Sequence, residues 1–161
     1  RAAAGADVRV VQLGRARMPE QVRGLLAGGV AVVSPDPLPE PGDVVIDAMI
    51  GVGFRPPVQG AVGALVEWLH RFDVPVVALD LPSGMHPDEG LVGPCVAADV
   101  TVVLGAPKPA VLAPACRPYL GDVYLADLGI PTPVWREAGV EPVGVFGRGP
   151  LVRLRLDEAA G

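Results

Sequence analysis

The chain has 161 residues, which fits one domain built on one core. A net charge of −5 and a pI of about 4.9, with no block of Lys or Arg, exclude the electrostatic footprint of a duplex-binding protein. No apolar run approaches the roughly 20 residues of a membrane span, and no basic-then-apolar signal opens the chain, so a cytoplasmic compartment is the default expectation.

Twenty-one glycines and 19 prolines would suit a low-complexity chain, yet half of the residues are hydrophobic and they fall in organised runs. The chain is therefore expected to fold, with heavily punctuated loops. Cys95 and Cys116 have neither CxxC nor CxH spacing and read as ordinary thiols. The start at Arg1, in an alanine-rich stretch rather than at a methionine, leads us to expect a preceding segment.

Val8 to Leu13 reads as a strand, with Gly5 ending a helix before it. Pro19 to Ala27 places proline at a helix start and Val22, Leu25 and Leu26 at helical spacing. Val30 to Val33 is a strand that runs into Ser34 to Pro39, where repeated prolines forbid both helix and ladder. Val44 to Ile46 is the next strand, followed by Asp47 and a glycine loop. The helix expected over Ala61 to Phe72 carries Val62, Leu65, Val66, Leu69 and Phe72 on one face, with Glu67 and Arg71 spaced to pair. Val76 to Leu79, Val100 to Leu104 and Val123 to Ala126 are further strands, and Val143 to Phe146 reads as an edge strand. Apolar runs without alternation suggest strands covered on both faces. That points to an α/β fold, a Rossmann-like three-layer αβα sandwich with a largely parallel sheet. Residues 1–147 form the expected domain and 148–161 a C-terminal tail of mixed Arg and Leu.

In open α/β sheets ligands bind beyond the carboxyl ends of the strands. Asp47, Asp80, Lys108 and Asp127 each follow one of four successive strands, so a shared cleft is expected, although any one of them could be a turn or capping residue. Gly51-Val52-Gly53-Phe54-Arg55-Pro56-Pro57 begins four residues after Asp47. Its glycines let backbone N–H groups approach an anion, or simply make a tight turn, and Arg55 either meets a phosphate or is a solvated loop charge. Asp80-Leu81-Pro82-Ser83-Gly84 presents a carboxylate and a hydroxyl three residues apart. No GxSxG elbow surrounds Ser83, which argues against a serine hydrolase; Ser83 instead offers an oxygen to a cation or caps the next segment. His86 reads as a surface loop residue.

The segments Asp47 to Phe54, Asp80 to Gly84, Ala106-Pro107-Lys108-Pro109 and Gly121 to Pro131, in this order and spacing, resemble the NAD(P)HX epimerase family, also called the YjeF N-terminal domain family. The resemblance covers roughly Arg1 to Pro131. It implies an isomerase of metabolite repair that interconverts the R and S forms of hydrated NADH and NADPH, with a potassium ion in the site. Carried over residue by residue, Asp47 and Ser83 are potassium ligands, Gly51 to Pro57 contact the substrate, and Asp80 binds it. Epimerising a carbon that bears nitrogen and hydroxyl through a planar species needs proton transfer, which makes Asp80 the candidate general acid/base and Lys108 a helper. A cation held by Asp47 and Ser83 would offset the repulsion between carboxylates and a pyrophosphate.

The resemblance places the family's N-N-G-G-D-G loop, a further potassium ligand and phosphate contact, ahead of Arg1, which leaves the activity of the chain without that loop open. His86 stands where an acidic residue is common. No dehydratase domain is expected to follow on the same chain; a separate NAD(P)HX dehydratase is expected in the same pathway, and a homodimer is the expected assembly. The alternative reading is a non-catalytic ligand-binding or protein-binding module on the same fold.

Overall fold

The computed structural model describes residues 5, 7–11, 24, 31–33, 39–51, 55–140 and 144–156. Its centre is a five-stranded sheet of β3 (Val45–Asp47), β4 (Val76–Leu79), β7 (Val100–Leu104), β8 (Asp122–Ala126) and β9 (Leu151–Arg153), hydrogen-bonded in that order. The first four strands are parallel and β9 closes the edge antiparallel. Two shorter sheets accompany it. One is parallel, β1 (Arg9–Val11) with β2 (Ala31–Val33), and the other is the hairpin of β5 (Met85–His86) and β6 (Gly90–Leu91). The Arg9 guanidinium donates to Asp43 at 2.6 Å, tying β1 to the turn ahead of β3.

Parallel neighbours need crossovers, and these place the helices. Between β3 and β4 runs α1 (Gly60–Leu69); between β7 and β8 run α2 (Pro109–Leu112), a single 3-10 turn (Pro114–Cys116) and α3 (Arg117–Leu120). A last helix, α4 (Thr132–Glu137), precedes β9. Register puts Asp47, Ala78, Thr101 and Val123 in one row of one sheet face, all buried, and Val103 and Leu125 lie in the same layer. Against this face pack two clusters. Val66 and Leu69 of α1 join Val76, Ala78, Val96 and Ala98, while Ala110, Val111 and Leu120 join Val103, Val123 and Leu125. Thr101 is tolerated at the centre because its hydroxyl donates to Leu120 O at 2.7 Å. On the opposite face Ile46 is 55% and Leu79 40% exposed, so burial alternates along these strands despite their unbroken apolar sequence.

Several expectations are corrected. The helix stops at Leu69 rather than Phe72. There Arg71 N and Phe72 N donate to Trp68 O and Leu69 O, tightening the last turn. Only Val66 and Leu69 of the expected face are fully buried; Val62, Leu65 and Phe72 are half-buried. Glu67 and Arg71 are both exposed, and no ion pair joins them. The edge strand beside β8 is Leu151–Arg153; of the expected edge strand Val143 to Phe146, Val145 and Phe146 belong instead to the 3-10 turn Val145–Arg148, and Val143 lies outside the described residues. Gly24 is helical, but the rest of Pro19 to Ala27 lies outside the described residues, as does Ser34 to Leu38 of the proline loop. Among the described residues, no helix is long and apolar enough to cross a membrane.

Candidate active site

Four parallel strands deliver Asp47, Asp80, the Gly105–Lys108 turn and Asp127 to one edge of the sheet. The structure resolves them into two bonded pairs and one residue outside both.

The first pair is Asp47 with Ser83. Asp47 closes β3 and is 2% exposed; Ser83 sits in the turn after β4 and is equally buried. Ser83 Oγ donates to Asp47 Oδ1 at 2.6 Å and Ser83 N donates to Oδ2 at 2.7 Å. Met49 N also donates to Oδ1 at 3.2 Å, and Ser83 Oγ accepts from Ile50 N at 3.2 Å. The turn that carries Ser83 is fixed by Met85 N on Pro82 O and Val96 N on Ser83 O. It passes so close to the 94–95 backbone that a Cβ on Gly84, at φ +104°, would lie 2.1 Å from Pro94 O. Only glycine fits there.

Asp47 thus has neutral donors alone, with no Lys, Arg or His paired to it among the described residues. A buried carboxylate without a counter-charge is costly, and this one is felt nearby. The Cys95 thiol is pushed up to about 12, first by burial and then by the charge of Asp47 and the neighbouring Cys116. Burial likewise raises Cys116. Neither thiol is a nucleophile at neutral pH.

The second pair is Asp80 with Lys108. Asp80 has φ +69°, and no other described non-glycine residue has a positive φ. A left-handed L-residue costs about 1–2 kcal/mol and needs compensation. Its amide donates to Val102 O at 2.8 Å, continuing the ladder to β7, while its Oδ1 accepts from Leu104 N at 3.0 Å and from Lys108 Nζ. Lys108 Nζ also donates to Leu104 O at 3.0 Å. The pair is half-buried, with side chains 28% and 23% exposed.

Asp127, the fourth strand-end residue, is exposed and turns onto its own loop, accepting from Gly129 N at 2.8 Å. It behaves as a turn residue and joins neither pair. His86 is corrected from a surface loop to a half-buried position in β5, where Nδ1 accepts from Asp88 N and Glu89 N and so closes the hairpin. In the glycine loop, Gly51, Arg55, Pro56 and Pro57 are exposed; Val52, Gly53 and Phe54 lie outside the described residues. Sequence reasoning missed the backbone partners, Met49 N, Ile50 N and both polar groups of Leu104, because every residue carries such groups and only the fold selects which ones converge.

A mostly parallel sheet with a polar cluster at its carboxyl edge defines a Rossmann-like α/β domain. A crystal structure of the yeast protein YNL200c has the same fold. Its TM-score is 0.71 at 24% identity, over 94% of this chain and 67% of that one. Residues 2–110 match the family described as YjeF-related protein N-terminus, and the chain belongs to that family. An NAD(P)H-hydrate epimerase of Dehalogenimonas lykanthroporepellens is 37% identical over 136 residues, covering 83% of this chain and 54% of the relative. A bifunctional NAD(P)H-hydrate repair enzyme Nnr of Vibrio cholerae is 36% identical over 135 residues, covering 78% of this chain and 27% of the relative. The chain therefore spans about half the length of the first of these relatives and about a quarter of the second.

Proposed function

We propose that the protein interconverts the R and S epimers of hydrated NADH and NADPH. The observation that carries this reading is the pairing of Asp47 with Ser83 in the same turn that presents Asp80, at the sheet edge where α/β folds bind ligands. Relatives 36–37% identical are named NAD(P)H-hydrate epimerase.

In this reading the Asp80 carboxyl passes a proton to the hydroxyl on the hydrated nicotinamide carbon. That hydroxyl leaves as water, and the ring nitrogen's electron pair makes the carbon planar. Water adds from the other face and returns a proton to the Asp80 carboxylate, so each cycle regenerates the enzyme. Gly51 to Pro57 form the substrate loop, with the Arg55 guanidinium available to a phosphate.

Potassium fits the first pair. Asp47 and Ser83 offer hard oxygens, and a buried carboxylate lacking a counter-charge is the donor an alkali cation suits; no cluster of three or more His, Cys, Asp or Glu competes for a transition metal among the described residues. Bound there, the ion would supply positive charge to a site that must accept a pyrophosphate. Cytoplasmic action, a homodimer and a dehydratase acting in the same pathway complete the proposal, the last supported by the bifunctional name of the Vibrio cholerae relative.

The test starts from one pure epimer of hydrated NADH, with the full-length protein and potassium present, and follows the approach to the mixed equilibrium by chromatography. Acceleration over buffer supports the reading. A rate equal to buffer removes it and leaves a non-catalytic binding module on this fold.

A further inference from the structure

We propose that Lys108 is a positioning residue that locks the Asp80 carboxylate by one oxygen, Oδ1, so that Oδ2 alone exchanges the proton. The proposal rests on the epimerase reading of Asp80 and adds to it a residue and an atom.

The geometry begins in the backbone. At φ +69° Asp80 turns its side chain onto the neighbouring strand end, where Oδ1 meets Leu104 N at 3.0 Å. Lys108 Nζ reaches the same oxygen and, at 3.0 Å, the carbonyl of Leu104. One ammonium therefore bridges both polar groups that define the end of β7. An Oδ1 receiving two donors has its in-plane lone pairs engaged, while no hydrogen bond reaches Oδ2 among the described residues. A proton arriving at this carboxylate goes to Oδ2.

The root of the lysine is as fixed as its tip. It stands between Pro107 and Pro109 with an extended backbone, immediately before α2, and α2 is anchored by Ala110 N on Pro87 O at 2.9 Å. A compact ammonium with three tetrahedral donors can satisfy a carbonyl and a carboxylate at once, which a planar guanidinium does less well. A freely turning carboxylate would spend part of its time with the wrong oxygen presented, and misplacement of this kind costs rate rather than affinity.

The test compares the unsubstituted full-length protein with Lys108→Ala and Lys108→Met, the second keeping the aliphatic stem in case the first fails to fold. Loss of the bridge is expected to lower kcat by about 10- to 100-fold with KM moved less than about 3-fold. Ethylammonium added to Lys108→Ala is expected to recover a large part of that loss, which a merely structural role would not allow. The Leu104 amide resonance, which reports the hydrogen bond to Oδ1 without any need of turnover, is expected to shift in both variants. Unchanged kcat, a KM that rises in step with the lost rate, or a Leu104 amide that does not move would each overturn the proposal. If the unsubstituted protein fails to accelerate epimerisation, the epimerase reading falls, and the Leu104 amide still decides whether the lysine holds the carboxylate.

Discussion

Ser83 Oγ lies 2.6 Å from Asp47 Oδ1, and the Ser83 amide lies 2.7 Å from Oδ2, so one residue of the β4 turn binds both oxygens of a buried carboxylate at the end of β3. Ser83→Ala removes the hydroxyl and leaves the amide of residue 83 and Met49 N as the donors to Asp47. The expected cost is about 1–3 kcal/mol, read from urea unfolding as a lower midpoint at unchanged slope. A loss below about 0.5 kcal/mol would mean that the hydroxyl does not support Asp47.

Helix α1 allows a sharp comparison between adjacent residues. Val66 is fully buried against Val76 and Ala78, whereas Leu65 beside it is half-buried. Val66→Ala is expected to cost about 2 kcal/mol and Leu65→Ala about 1 kcal/mol, although leucine is the larger side chain. Chemical denaturation of the two variants checks the order. A larger loss at Leu65 would rotate the helix relative to the sheet.

How far this architecture could be read from sequence depends on the range of the signal. The strands Val76–Leu79 and Val100–Leu104 match their expected bounds because a run of β-branched residues ended by Asp or Gly is a local pattern. The hairpin β5–β6 has two residues on each side, too few to show a period. Strand β9 did carry a signal. Val152, Leu154 and Leu156 are half-buried while Arg153 and Arg155 between them are exposed, a period of two that the arginines disguise as a polar tail. At the site, the glycine loop after Asp47 and the segment Asp80 to Gly84 marked Asp47, Asp80 and Ser83 as neighbours of one edge. Nothing local could show that Asp80 adopts a left-handed backbone, that Lys108 grips it from 28 residues away, or that Asp127 turns onto its own loop instead.

The raised Cys95 thiol gives the fold an alkaline weakness. In the unfolded chain a thiol ionises near 9.0, whereas in the folded chain burial and the charge of Asp47 delay ionisation to about 12. Above pH 9 the unfolded state therefore releases a proton that the folded state retains. This contribution to stability is fully present below pH 9 and is lost as pH rises towards about 12. Between those limits Cys95→Ala is expected to show a shallower fall of stability with pH, by about one proton, in urea titrations at several pH values. Parallel slopes for the two proteins would show that Cys95 ionises alike in both states.

If the Asp80 carboxylate transfers the proton during epimerisation, Asp80→Asn in the full-length protein loses the reaction and keeps the fold. Asparagine keeps the size of aspartate, and its side-chain oxygen can still accept from Leu104 N and Lys108, but it cannot take up a proton at neutral pH. Starting from one pure epimer of hydrated NADH in potassium buffer, with the spontaneous rate subtracted, the variant is expected to interconvert the epimers about 10² to 10⁴ times more slowly than the unsubstituted protein while unfolding at a similar urea concentration. An Asp80→Asn protein that equilibrates the epimers at the unsubstituted rate would contradict the account.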